Sequence, residues 1–158
     1  MTTSMASALV IEEALDVVAP PDVVWGVITD FDRYGEWNPF VVACRSTLVV
    51  GAPIVMRVRL VPWLVQPQRE TVFEHESGRR FCYGVDGGAM GAIASRRCHE
   101  VTSSADGHAR YASRFALSGW LAPLVRILLQ RRLEQGFHAM TVGIRDRAEH
   151  LAAARGRC

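Results

Sequence analysis

The sequence predicts an α+β fold in which a curved antiparallel sheet of about six or seven strands wraps one long C-terminal helix, with two short helices after the first strand. Three observations predict it. About seventy residues after Asn38-Pro39 alternate apolar and polar side chains between turn signals. Beyond Leu121 the apolar period changes to roughly 3.6 residues. Helix-start and helix-stop residues separate an opening apolar strand from the alternating stretch.

The opening strand runs from Leu9 to Ala19, rich in aliphatic side chains, and stops at Pro20-Pro21, which cannot donate to a ladder. Pro21 suits a first helical position. Asp22 follows it, and Val23, Val24, Val27 and Ile28 supply an apolar face for a short helix ending near Asp30. Phe31 to Pro39 sets three aromatics among Asp, Gly, Asn and Pro, which predicts a second short helix closed at Asn38-Pro39.

Turn signals at Gly51-Ala52-Pro53, Gly78, Gly87-Gly88 and Asp106-Gly107 divide the next stretch into antiparallel strands. In Ile54 to Val61, Ile54, Met56, Val58 and Leu60 point one way and Arg57 and Arg59 the other. The same reading sets Thr71 and Phe73 inward against Glu70 and Glu74. It also sets Phe81, Tyr83 and Val85 against Arg80, and Tyr111, Phe115 and Leu117 against Arg110 and Arg114. Val61 to Pro67 carries two prolines, so a loop or edge strand is expected there, with Trp63 near the surface or a pocket mouth.

The C-terminal helix presents Leu133, Phe137, Met140, Ile144 and Leu151 as one stripe, with Pro123 in its first turn. Gly136 and Gly143 each cost about 1 kcal/mol relative to alanine, so close packing or a bend is expected at both. The chain reads as one domain over 1–158, with a core spanning about 8–152.

With 18 basic and 16 acidic residues, the chain has no charge footprint for nucleic acid. The apolar run Trp120 to Leu129 is far short of the ~20 residues that span a bilayer. Cys44, Cys82, Cys98 and Cys158 lack metal-ligand spacing, and Met1 to Leu9 lacks the pattern of an export leader. A reduced, cytoplasmic protein without a metal site is the expectation. GxSxG, HExxH, P-loop and GxGxxG motifs are absent. The glycines of Asp86 to Gly91 suit a hairpin connection or a loop that gates a cavity.

Three segments resemble the START-like, or SRPBCC, superfamily of polyketide cyclases and dehydrases, allergen-type binding proteins and lipid-transfer domains. They are APPDVVWGVITDFDRYGEWNPF (Ala19 to Phe40), RCHEV (Arg97 to Val101) and GWLAPLVRILLQRRLEQGFHAM (Gly119 to Met140). The resemblance implies a helix-grip fold with a deep cavity between sheet and C-terminal helix. It implies a hydrophobic or aromatic ligand and no cofactor. It assigns no catalytic residue, because those vary between subfamilies.

The expected cavity wall comprises Trp37, Met56, Val58, Phe73, Tyr83, Phe115, Phe137, Met140 and Ile144. Arg97 and His99 share a strand face with Ile93, Ser95 and Val101, although Ala94 and Cys98 make the other face acceptable as the inner one. If they point inward, His99 and Tyr83 suit general acid/base work on an enolisable carbonyl, and Arg97 suits a carboxylate or phenolate. Three functions fit: a binder of a small hydrophobic molecule, a cyclase, aromatase or dehydratase, or a lipid or quinone carrier. The carrier would touch membranes through Trp120, Leu121, Leu124, Leu128 and Leu129 with Arg126, Arg131 and Arg132.

Overall fold

The computed structural model describes residues 8–157. The chain runs β1 (Leu9–Val17), α1 (Pro21–Thr29), a 3-10 turn (Phe31–Arg33) and α2 (Tyr34–Trp37). Then come β2 (Val41–Ser46), β3 (Pro53–Val61), β4 (Leu64–Glu76), β5 (Arg80–Val85), β6 (Ala94–Ser103), β7 (Ala109–Ser118) and α3 (Ala122–Arg155). The seven strands form one antiparallel sheet in the order β1-β7-β6-β5-β4-β3-β2, so the first strand closes against the last.

Local chemistry sets the joints. Pro21 opens α1, and the Asp30 amide closes it on the Gly26 carbonyl at 2.9 Å. The Tyr34 hydroxyl donates to the Ile28 carbonyl at 2.6 Å, tying α2 back onto α1. Asn38 Oδ1 accepts from the amides of Phe40 and Val41 at 3.0 and 2.9 Å, which turns the chain out of α2 into β2.

Register shifts interrupt β2/β3 at Val41/Ala43, β3/β4 at Arg59/Val61 and β4/β5 at Val72/Glu74. Each bulge bends its strand and adds twist, which helps the sheet curl around α3. This is the helix-grip arrangement. On the inner face of α3, Phe137, Met140, Thr141, Ile144 and Ala148 are buried. Gly136 lets the Phe40 ring lie directly on the helix, where any Cβ would collide with it. Phe40 then packs edge-on to Phe137 with centroids 5.2 Å apart. A Cβ at Gly143 would stand 3.0 Å from the Trp37 carbonyl, so close packing explains both helix glycines.

Two expectations change. In β4 the buried apolar residue is Val72, fully enclosed, while Phe73 turns to the outer face beneath the Arg96 guanidinium, 5.7 Å from its centroid. The bulge at Val72/Glu74 breaks the period of two there. The inner side of β4 reads Gln66, Gln68, Glu70, Val72, a mostly polar row that looks like an outer face in sequence.

The cysteines also differ from expectation. Cys82 and Cys98 are direct partners across β5 and β6, Cα atoms 4.1 Å apart, and are joined as a disulfide. Their pairing follows from strand register, which short-range spacing does not reveal. Cys158, and Met1 to Ser7 of the leader reading, lie outside the described residues.

The stretch with two prolines is an edge. Residues 64–70 of β4 pair with β3 alone, because β5 joins only from Thr71 onward, so Pro67 leaves no second neighbour without a donor. Trp63, at the hairpin tip, is 79% exposed. No helix among the described residues is long and apolar enough to cross a membrane.

Candidate ligand cavity

Between the inner face of the sheet and the first half of α3 lies a cavity of about 320 Å³. Alternation delivers its walls. Met56 and Val58 come from β3, Tyr83 from β5, Arg97 from β6, and Phe115 and Leu117 from β7. From α3, Val125, Leu129, Leu133 and Phe137 face it at four-residue spacing. The volume suits a small ligand of one or two rings.

The polar lining comes from β4 with Gln66, Gln68, Arg69 and Glu70, from β5 with Tyr83, and from β6 with Ser95 and Arg97. Arg97 is only 4% exposed, yet among the described residues it makes no ion pair. Its guanidinium lies 3.9 Å above the Phe137 ring, and one terminal nitrogen approaches Met140 Sδ at 3.6 Å. Its Nε donates to His99 Nε2 at 3.2 Å. A buried guanidinium is costly unless its donors are met, and a ring face and a thioether meet them weakly.

His99 is fully buried and sits behind this wall without lining the cavity. Arginine Nε can only donate, so His99 Nε2 must hold the lone pair and the ring proton must sit on Nδ1. Nδ1 therefore donates to Tyr111 Oη at 2.7 Å. Tyr83 Oη stands 3.4 Å from the same Nε2. Burial, and then the Arg97 charge, hold the imidazole pKa well below its usual range, so the ring is neutral at physiological pH. Burial pushes the Tyr83 phenol far up, with Arg97 opposing, so Tyr83 remains a neutral hydroxyl donor.

Glu70 is the group that sequence reasoning missed. It faces the cavity from β4 beside Gln66 and Gln68, and burial raises its carboxyl to about 7 while Arg97 pulls it down. The signal was the shared parity of Gln66, Gln68, Glu70 and Val72. Ser95, which shares the inner face of β6 with Arg97, also lines the cavity.

Of the expected wall, Met56, Val58, Tyr83, Arg97, Phe115 and Phe137 line the cavity. Met140 supports Arg97 from behind, and Ile144 is fully buried in the core. Trp37 packs edge-on to Tyr34, centroids 5.0 Å apart, and borders a separate groove between α1 and α3. It lies apart from the cavity because α2 meets the far half of α3, at Gly143. Phe73 lies on the outer face. The arrangement can bind an apolar body and direct a cation and a hydroxyl at one end of it.

No curated protein matches the chain in sequence. Solved structures match in fold. The Zhui aromatase/cyclase from Streptomyces sp. R1128 is similar at TM-score 0.72 and 15% identity, covering 89% of this chain and 93% of that one. A START superfamily protein from Mycobacterium smegmatis is similar at TM-score 0.69 and 12% identity, covering 90% and 98%. Truncated norcoclaurine synthase from Thalictrum flavum is similar at TM-score 0.65 and 15% identity, covering 91% and 94%. Such identities speak to fold alone. The model of the polyketide cyclase / dehydrase and lipid transport family, within the START-like superfamily, matches residues 8–143, and the chain belongs to that family.

Proposed function

We propose that the chain binds a small, largely apolar, ring-containing molecule that carries an anionic or strongly polarised oxygen. One observation carries this reading: a buried guanidinium that makes no ion pair among the described residues faces a cavity whose walls from β3, β7 and α3 are apolar. A ligand carboxylate, phenolate or enolate would supply the missing acceptor for Arg97, and Tyr83 would donate a second bond. Met56, Val58, Phe115, Leu117 and Phe137 would enclose the rings.

The test is titration of the ¹⁵N-labelled protein with 2-naphthoate, followed by amide shifts. Changes are expected at Val58, Gly84, Arg97 and Phe115, and none around Trp37. Shifts confined to the α1/α3 groove would refute the reading.

A second reading, a cyclase or dehydratase, is favoured by Glu70, whose carboxyl titrates close to neutrality inside the same cavity. As a carboxylate it would remove a proton from carbon next to a carbonyl. The electron pair would move onto the carbonyl oxygen, and Arg97 and Tyr83 would hold the enolate. Attack of that enolate on a second carbonyl of the same molecule closes a ring. The new alkoxide takes that proton back from Glu70. To lose water, Glu70 removes the second proton of the same carbon, the electron pair forms the C=C bond as the C–O bond breaks, and the departing hydroxide takes the proton from Glu70. In this reading His99 positions Arg97 and Tyr83 and does not meet substrate.

A further inference from the structure

The first three turns of α3 are apolar on two opposite sides. Val125, Leu129 and Leu133 line the cavity. On the other side Leu124, Ile127 and Leu128 are 51%, 80% and 66% exposed, and Trp120, just ahead of the helix, is 61% exposed. In water, a helix normally turns its second face to solvent with polar side chains, so this apolar stripe lacks a partner.

Two loops extend the stripe. β3, β5 and β7 all end, and α3 begins, at one end of the antiparallel sheet. At that end Trp63, between β3 and β4, is 79% exposed, and Met90, between β5 and β6, is 87% exposed. Leu60, Gln66, Val85, Ile93 and Val125, which flank these tips in the chain, line the cavity, so the exposed side chains cluster at one end of it.

Charge accompanies the apolar surface. From Trp120 to Leu133 there are three arginines and no carboxylate. Arg131 and Arg132 are exposed and make no hydrogen bond or ion pair among the described residues, and Arg126 reaches only the Ala8 carbonyl, at 3.4 Å. All three border one shallow depression with Ile127, Leu128 and Gln130.

We propose that this end of the molecule docks on an anionic lipid bilayer. Trp63, Met90, Trp120, Leu124, Ile127 and Leu128 enter the interface, and Arg126, Arg131 and Arg132 meet lipid phosphates. A bilayer offers apolar depth and negative charge together. A second copy of the chain fits less well, because a two-fold contact would set each arginine cluster against its own image. The proposal concerns the outer face and does not depend on what the cavity holds.

Flotation of the full chain with vesicles tests it, comparing phosphatidylcholine alone with an equal mixture of phosphatidylcholine and phosphatidylglycerol. The wild type is expected to float with the mixed vesicles, more strongly at low salt than at about 0.15 M. R126Q/R131Q/R132Q should lower partitioning roughly a hundredfold, from about fivefold per charge. I127S/L128S should abolish flotation, yet melt normally and bind 2-naphthoate as the wild type does, which separates this surface from the cavity. No flotation, or equal flotation of all three proteins, overturns the proposal. So does a dimer that I127S/L128S dissociates while vesicles recover nothing, which assigns the face to a second copy.

Discussion

Arg97 Nε donates to His99 Nε2 across 3.2 Å, and because a guanidinium nitrogen cannot accept, that bond fixes the proton of the imidazole on Nδ1. The ring is thereby committed to Tyr111 on one side and to Arg97 and Tyr83 on the other. It is a spacer that aims two cavity-facing donors. The ¹⁵N shifts of His99 should accordingly show a protonated Nδ1 and a bare Nε2, unchanged from pH 8 to about pH 5.5, a unit below the ordinary histidine value. Titration of the ring within that range would contradict the assignment.

Replacing Arg97 should separate stability from binding. In R97M an apolar chain of similar length takes the place of a buried charge that a ring, a thioether, His99 and Tyr111 satisfy without an ion pair among the described residues. A melting temperature at or above wild type is expected in thermal denaturation, together with loss of anion binding. A large drop in melting temperature would mean that the guanidinium is built into the core.

Glu70 and His99 should impose opposing pH slopes on stability. The Glu70 carboxyl rises from 4.5 to about 7 on folding, so its contribution is full below 4.5 and is lost as pH climbs toward 7. The His99 pKa falls below 6.5 on folding, so its contribution is full above 6.5 and is lost as pH falls. In the window just below 6.5 the two effects oppose each other in the wild type. In E70Q the Glu70 slope is gone, and chemical denaturation should show stability rising with pH across that window. A flat E70Q profile would contradict the pairing.

The same carboxyl should tune ligand binding. Below about 7 Glu70 is neutral and leaves the Arg97 charge without an offset; above it the two offset each other. Affinity for 2-naphthoate should therefore weaken as pH rises through 7 in wild type and stay level in E70Q, as measured by calorimetry. A level wild-type profile would remove Glu70 from the site.

Gly136 should resist the change that helix propensity favours. Alanine is the better helix former by about 1 kcal/mol, yet its Cβ would strike the Phe40 ring. G136A should lose about 1–3 kcal/mol in denaturant titration. F40L should recover much of that loss, since the two positions share one contact.

The sequence made legible what repeats with a fixed period. The strands Leu9–Val17 and Pro53–Val61, the helix opened by Pro21, and the long helix with its buried Phe137, Met140 and Ile144 all follow from spacing. The inner face of β4 was illegible because it is polar, and polar parity reads as solvent until tertiary structure encloses it. This hid Glu70 and misplaced Phe73, which the bulge at Val72/Glu74 turns outward. The Cys82–Cys98 bond was hidden for a related reason, since strand register alone brings the two together. On β6, Ala94 and Cys98 obscured a parity that burial of Arg97, His99 and Val101 makes plain.

The central claim is that Arg97 holds an acidic oxygen on an apolar guest. Calorimetric titration of wild type and R97M with 2-naphthoate and its neutral isostere 2-naphthamide tests it most directly. The wild type should prefer the acid by about tenfold to a hundredfold, the worth of a hydrogen-bonded charge, and R97M should lose the preference while still binding the amide. Equal affinities in the wild type, or a preference for the acid that survives in R97M, would contradict it.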